Sequence, residues 1–411
     1  MTTEDWDLIV VGGGAAGFFA AITCAEASHS RVLIVEKSPN VLGKVKISGG
    51  GRCNVTHSCF EPKALTGFYP RGGKSLIGPF HRWGATDTVG WFQSRGVELK
   101  TEADGRMFPV TDTSQTVIDC LTESARSAGV ELQVSTGISN IHHEETGSFQ
   151  LLTSNGKTLN TRSVLLATGG TRLAAGAKLA ESLGHKLISN VPSLFAFNIS
   201  DPRISELPGI SVSQTEVSVE GMKLSACGPL LITHHGLSGP GVLKLSAWGA
   251  RELHDGGYDF HIKINWLPGL TAQNIESTLT ETRQTWGKRR VRGRAPFDPI
   301  PKRLWDKLCE AAEVAEDTIW SQLTKESARK LLTELTSGRY HVSGKSINKD
   351  EFVTCGGVNL NEVNLKTMES KVQPGLYFAG EILNVDGITG GFNFQNAWTS
   401  GHLAGMAVAE S

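Results

Sequence analysis

Short, uninterrupted apolar runs open the chain. Leu8-Ile9-Val10-Val11 and Val32-Leu33-Ile34-Val35 lack the alternation of a half-solvated strand, so both are predicted to be strands buried on two faces. Between them Ala15 to Ala27 is Ala-rich and predicts a helix. Helical spacing returns over Thr116 to Ala128, where Val117, Cys120, Leu121 and Ala125 share a face. Val130 to Val134 and Gly137 to Ile141 follow as short β stretches. Phe149 to Leu152 and Lys157 to Asn160 flank Asn155-Gly156, a hairpin pattern. Ser163 to Thr168 reads as an apolar strand ending at Gly169-Gly170. Ala174 to Leu183 reads as a helix stopped by Gly184.

The texture changes near Val191. Val212 to Leu224 alternates polar and apolar residues around Glu220-Gly221, as antiparallel strands do. Leu230 to Thr233 and Tyr258 to Trp266 are further strand candidates. Three helical patterns follow: Thr271 to Trp286, Pro301 to Val314 and Thr318 to Leu335, with Pro301 suited to a first helical position. The α/β texture resumes near Phe352 and continues to the last residue. The pattern is that of one α/β domain interrupted by an insertion of strands and helices.

The first candidate chemistry lies between the opening strands. Gly12-Gly13-Gly14-Ala15-Ala16-Gly17 follows a strand and opens a helix, and Glu36 closes the next strand. Gly12 suits the tight turn, Gly14 lets the backbone approach a pyrophosphate, and Gly17 permits close helix-on-strand packing. The helix N-terminus adds free N–H groups and a positive dipole end. Glu36 stands at the spacing for a ribose-hydroxyl acceptor, and its carboxylate would repel a 2′-phosphate there. A dinucleotide is therefore expected, and NADP is disfavoured at this site.

Composition narrows the setting. The chain has 411 residues and a net charge of −1, so no global field draws it to nucleic acid or to a membrane. It has no apolar run long enough for a membrane span, and six residues ahead of the first strand leave no room for a targeting peptide. Its seven cysteines form no CxxC pair, which argues against a disulfide framework. A reduced, cytoplasmic protein is expected.

A second half of the cofactor site is predicted near the C-terminus. Gly375 to Ala379 is an apolar strand leading to Gly380-Glu381, which puts an acid at the carboxyl edge of a sheet. Thr389-Gly390-Gly391-Phe392-Asn393 then opens an Ala/Gly-rich helix, whose N-terminus can face an electron-rich flavin edge. Together with Thr168-Gly169, these segments suit one long ligand, and FAD is the expected cofactor.

Longer motifs make a family recognisable. Ile47-Ser48-Gly49-Gly50-Gly51-Arg52-Cys53-Asn54-Val55-Thr56, Thr233-His234-His235-Gly236-Leu237-Ser238-Gly239-Pro240, Thr367 to Lys371 and Gly380 to Gln395 resemble the YhiN-type flavoproteins, a family described as NAD(P)/FAD-dependent oxidoreductases and aminoacetone oxidases. The resemblance implies a two-part Rossmann-like FAD domain over residues 1–190 and 353–411. It also implies a β-barrel-like insertion over 191–267 and 338–352, and a small helical insertion over 268–337. Expected FAD contacts are Gly12, Gly14, Ala15, Ala16, Gly17, Glu36 and Lys37 in the fingerprint. Gly51, Arg52, Asn54, Ile138, Thr168 and Gly169 are expected from the middle of the domain, and Gly380, Glu381, Gly391, Phe392 and Asn393 from its last segment. The chain departs from the family with Asn384 in place of Asp, Phe392 in place of Tyr, and a shortened stretch Thr171 to Ala177. These departures bear on substrate contacts rather than on FAD.

No catalytic residue stands out alone. Asn54, His234, His235 and Asn393 are the candidates: a histidine can act as acid or base near neutral pH, or simply make a structural hydrogen bond. Cys53 reads as a buried small residue rather than a redox thiol, and the doublet His142-His143 as solvated surface. No His/Cys/Asp/Glu cluster has metal-ligand spacing. Lys288, Arg289, Arg290, Arg292 and Arg294 form a local basic run that is either a solvated loop or an RNA contact. The expected function is hydride transfer through flavin N5. The open readings are an RNA uridine reductase of the ribosomal RNA dihydrouridine type with NAD(P)H as transient donor, an amine or aminoketone oxidase, and a non-catalytic flavin-carrying protein.

Overall fold

The computed structural model describes residues 5–170, 175–346 and 353–411. Part of the shortened stretch, residues 171–174, and residues 347–352 lie outside them. The described residues divide into two units, Met1–Val191 with Lys349–Ser411, and Pro192–Asn348.

In the first unit the opening apolar runs become β1 (Asp5–Val11) and β2 (Val32–Val35), joined by α1 (Ala15–Ser28). A kinked helix α2 (Gly43–Gly51) follows. Further along are β3 (Glu131–Gln133), β4 (Thr158–Leu166), β5 (Leu376–Phe378) and the terminal helix α3 (Phe392–Ala409). The parallel core of the sheet runs β5-β4-β1-β2-β3. Val10 pairs with Ile34 on one side and Leu165 on the other, and Leu8, Val10, Leu33 and Ile34 are wholly buried. That is why these strands read as continuous apolar runs.

Crossovers of a parallel sheet place the following turns at the strands' carboxyl edge, so the end of β1, the end of β4 and Gly380 share one side. Helix α1 crosses α3 at very short range. A Cβ on Gly401 would lie 2.7 Å from the Ala16 carbonyl, and one on Gly405 would lie 2.5 Å from that of Ala20. No helix among the described residues is long and apolar enough to cross a membrane.

The hairpin at Asn155-Gly156 forms between Phe149–Thr153 and β4. The predicted arm Lys157 to Asn160 and the predicted strand at Ser163 are one element. Its first half is solvated and its second half is buried in the sheet, which explains why the sequence pattern splits it.

In the second unit, seven strands make an antiparallel sheet in the order Gly338–Val342, Phe260–Asn265, Ser211–Val219, Ser225–Thr233, Gly236–Ser238, Ala196–Asn198, Gly344–Ser346. Three helices, Ala272–Thr285, Lys302–Ala311 and Lys325–Ser337, share one apolar core with it, built around Trp266, Trp305 and Trp320. Two helix starts differ from the sequence reading. Pro301 caps its helix from an extended conformation (ψ 143°) instead of occupying the first turn. The helix expected from Thr318 begins at Lys325, because Trp320 is buried in a short 3₁₀ turn and Thr324 caps the helix through the Ser327 N–H (3.0 Å).

Candidate flavin-binding site

The fingerprint glycines are required for different reasons. Gly12 has φ 118°, and a Cβ there would lie 2.4 Å from the Ala167 carbonyl oxygen. A Cβ on Gly17 would lie 2.1 Å from the Gly12 carbonyl oxygen. Gly14, the N-cap of α1, has nothing within 4 Å of a Cβ position. Two glycines are thus demanded by neighbouring backbone, and the third stands beside open space at a helix N-terminus whose first N–H groups have no intrahelical partner.

Glu36 is half-buried, and its carboxylate accepts hydrogen bonds from the Gly13 N–H and the Ser38 N–H, each 2.8 Å. It therefore braces the glycine turn while keeping further lone pairs for ribose hydroxyls. Lys37 is exposed. The segment before Ile138 is tied to this edge, with Thr136 N–H donating to Glu36 O (2.8 Å) and Ser135 N–H to Ser38 O (3.0 Å). These bonds bring the start of the strand at Ile138, an expected FAD contact, close to the Glu36 loop.

The end of β4 and the Gly380 segment meet the same turn. The Thr168 hydroxyl is buried with no hydrogen-bond partner, and a Cβ at Gly169 would meet nothing within 4 Å. A Cβ at Gly380 would lie 2.9 Å from that of Ala16, and Glu381 forms an ion pair with Lys44 of α2. In the kinked last turn of α2 and just beyond it, Gly49, Gly50, Gly51 and Cys53 are all left-handed (φ 57°, 70°, 84° and 62°). Cβ positions at Gly50 and Gly51 are open. Arg52, expected on FAD, has its guanidinium on Glu102 (2.6 Å), near Asp112 (3.5 Å) and over the Phe108 ring (4.0 Å). Cys53 is wholly buried, and burial pushes its thiol up to about 12, as expected of a structural residue.

The N-terminus of α3 is held from a distance. Gly391 is its N-cap, with φ 92° and the Thr56 carbonyl oxygen 2.6 Å from a Cβ position. With its amide oriented to satisfy its surroundings, Asn54 accepts from the Gly391 N–H (2.9 Å) and donates to Thr56 O (3.0 Å). Asn393 spans the preceding loop, accepting from the Gly387 N–H (2.8 Å) and donating to its carbonyl (2.9 Å). Both asparagines are thus committed to backbone groups. Phe392 stacks on Phe68 (4.4 Å between centroids) and on His57 (4.9 Å), and its carbonyl accepts the Tyr69 hydroxyl (2.6 Å).

Four participants were not among the expected contacts. Arg71 donates from Nε to Asp386 (2.7 Å) and from its terminal nitrogen to the second carboxylate oxygen, and the Asp386 side chain is wholly buried. Gln395, also wholly buried, accepts from Thr56 (2.6 Å) and donates to Thr88 and Thr399 (3.1 Å each). Lys44 is the fourth. A charged residue inside the apolar, Gly-rich run Val385 to Gly391 was the available signal for Asp386, and the Gly380 to Gln395 motif was that for Gln395; Arg71 offers none without knowledge of the fold. His234 and His235 lie on the second unit, exposed in the turn between Ser225–Thr233 and Gly236–Ser238. Of the four catalytic candidates, Asn54 and Asn393 belong to the first unit's cradle.

An open glycine edge, an unpartnered threonine hydroxyl, a carboxylate beside the glycine turn and a second helix N-terminus fit FAD as residues of this cradle. The fold and site define a two-part Rossmann flavin domain interrupted by a second unit. The chain belongs to the HI0933-like protein Rossmann domain family, which it matches over residues 6–407. It is 31% identical over 407 residues to the ribosomal RNA dihydrouridine synthase of Escherichia coli (strain K12), covering 97% of this chain and 96% of that protein. It is 27% identical over 418 residues to the 3-dehydro-bile acid delta(4,6)-reductase of Clostridium scindens, covering 98% of each. It shares its fold with the 3-ketosteroid delta1-dehydrogenase of Sterolibacterium denitrificans (TM-score 0.55, 14% identity, 99% of this chain and 100% of that one). The resemblance read from the motifs holds, and the protein is an FAD-dependent oxidoreductase.

Proposed function

We propose that this protein reduces the C5–C6 double bond of a uridine in ribosomal RNA, with a reduced nicotinamide as the electron source. The observation that carries this reading is the end-to-end match, at 31% identity, to a relative named for that reaction. The match runs through the inserted unit as well as the Rossmann part. The bile-acid reductase is named for a different substrate but a related reaction, since there too the reacting double bonds are conjugated with a carbonyl. Nothing in the site favours amine oxidation in the same way.

When bound and reduced, FAD would supply a hydride to the carbon β to the carbonyl, and a proton taken from water would complete the neighbouring carbon. The remaining tasks fall to the chain. The N-terminus of α1 and Gly14 receive the pyrophosphate, and Glu36 receives the ribose hydroxyls. The positive end of α3 would stabilise negative charge on a flavin pyrimidine edge. Asn54 and Asn393 are amides, too weakly acidic to deliver a proton, and are already bonded to backbone, so they act as positioning residues for that helix end.

The test is anaerobic. NADH or NADPH should bleach the flavin, and an unmodified ribosomal RNA transcript should restore its colour while one uridine gains two hydrogens by mass spectrometry. Flavin that is reduced by amines or aminoketones and is untouched by RNA would overturn the reading.

A further inference from the structure

Residues 287–294 carry five cations in eight positions, and backbone hydrogen bonds tie this run to the second unit. Backbone groups of alternate residues bond inward. Gly287 O accepts from the Ser321 N–H (3.0 Å), Arg289 O from the Trp320 N–H (3.0 Å), and Val291 N–H donates to Thr318 O (2.9 Å). Val291 O also accepts the Trp305 indole N–H (2.8 Å), and Gly293 N–H donates to Asp306 (2.5 Å). Val291 is wholly buried, whereas Lys288, Arg289, Arg290 and Arg294 are exposed and Arg292 is half-buried. Among the described residues, none of the four exposed cations pairs with a carboxylate.

Half-buried Trp286 sits beside the run, edge-on to Trp320 (6.4 Å). The guanidinium groups of Arg289 and Arg294 lie 5.5 and 5.2 Å from its ring centre. An ordinary solvated loop spreads its cations and lets them move. Here the backbone is anchored and two guanidinium groups converge on one indole, and an anion would relieve the repulsion between their like charges. Arginine forks match phosphate oxygens in pairs, and arginine planes and indoles stack on unpaired bases. An anionic membrane would call instead for exposed apolar anchors among the cations, and the one large apolar residue within the run, Val291, points inward.

We propose that Trp286 and residues 287–294 form a ledge that binds single-stranded RNA, taking phosphates on Lys288, Arg290 and Arg294 and an unpaired base on the Trp286–arginine stack. The proposal rests on the RNA reading above and is tested separately from it. The full-length flavoprotein is titrated with a fluorescein-labelled single-stranded RNA of about 20 nucleotides, a span that exceeds one binding module, and with a ribosomal RNA transcript, over a range of KCl. The substitutions K288Q/R289Q/R290Q/R294Q should weaken binding by at least about tenfold and reduce the slope of log affinity against log salt by roughly 0.7 for each phosphate no longer neutralised. A second variant, R290E/R294E, should act in the same direction. The set K63Q/K157Q/K223Q/K325Q removes the same charge from exposed positions elsewhere and should leave affinity within about twofold of the wild type.

Equal weakening by the patch and control sets, or no weakening by either, overturns the proposal. So does loss of binding to phosphatidylglycerol vesicles with RNA binding intact. Dihydrouridine formation is scored in the same samples. Turnover with an unaffected patch variant refutes the ledge alone, and patch-dependent binding without turnover by the wild type refutes the uridine reading alone.

Discussion

Two helix N-termini belong to the candidate flavin cradle, and they are built in opposite ways. That of α1 is specified by Gly12, Gly14 and Gly17, a handful of residues that act on their immediate backbone neighbours. That of α3 is held by residues hundreds of positions away: Arg71 on Asp386 (315 apart), Thr56 on Gln395 (339 apart) and the Trp398 indole on Val55 (343 apart). Both present the same electrostatic device, a ring of free N–H groups at a positive dipole end. The comparison teaches that such a device leaves a spacing rule in the sequence only where steric neighbours are also chain neighbours.

The contrast breaks most easily at Asp386. Asp386→Ala strips the Arg71 guanidinium of a buried, bidentate partner and should cost about 3–5 kcal/mol in urea unfolding, with loss of bound flavin. A variant that unfolds at the wild-type urea concentration and keeps its flavin would show that α3 is placed without this pair. At the other helix, Gly17→Ala forces a Cβ to 2.1 Å from a carbonyl oxygen. It should cost roughly 1–3 kcal/mol and reduce flavin content on purification.

Asn54→Ala leaves the Gly391 N–H and Thr56 carbonyl without their amide partner. A destabilisation of about 1–2 kcal/mol is expected, with substrate turnover falling more than flavin affinity if the amide only places the helix end. Gly14→Ala sharpens the comparison from the opposite side. Its Cβ meets nothing, so stability should change by under ~0.5 kcal/mol, while FAD affinity measured by flavin fluorescence falls clearly. Equal losses of stability and affinity in Gly14→Ala would contradict the open-space account.

The smallest effect is a pH slope. His402 on α3 stacks on Trp83 (3.8 Å), and burial pushes its imidazole down from 6.5 to about 4, with Asp87 opposing in part. The folded state therefore favours the neutral ring. Its contribution is complete above pH 6.5 and is lost as the unfolded chain takes up a proton between 6.5 and about 4. His402→Phe should flatten this part of the melting-temperature profile between those two pH values.

Legibility followed the same division elsewhere in the fold. Asn155-Gly156 announced its hairpin because a two-residue turn is a local object. Glu36 was found by spacing, yet its bonds to the Gly13 and Ser38 N–H groups, each 2.8 Å, were not. The helix expected at Thr318 was set back to Lys325 because burying Trp320 in the insertion's core outweighed a helical pattern. The basic run was visible as composition, but its backbone anchoring and the Trp286 stack depend on strands and helices that meet only in the folded unit.

Sequence by itself determined the parallel strands, the glycine turn, the acid after β2 and the return of the chain to the sheet near that turn at Gly380. Each follows from hydrophobic period or from glycine chemistry acting over a few residues. Tertiary structure alone decided that Asn54 and Asn393 are braces, that Arg52 is matched to Glu102, and that a buried Arg71–Asp386 pair sets the second helix end. A polar side chain's role is fixed by whichever unsatisfied group the fold brings within about 3 Å of it, and that group is rarely a neighbour along the chain.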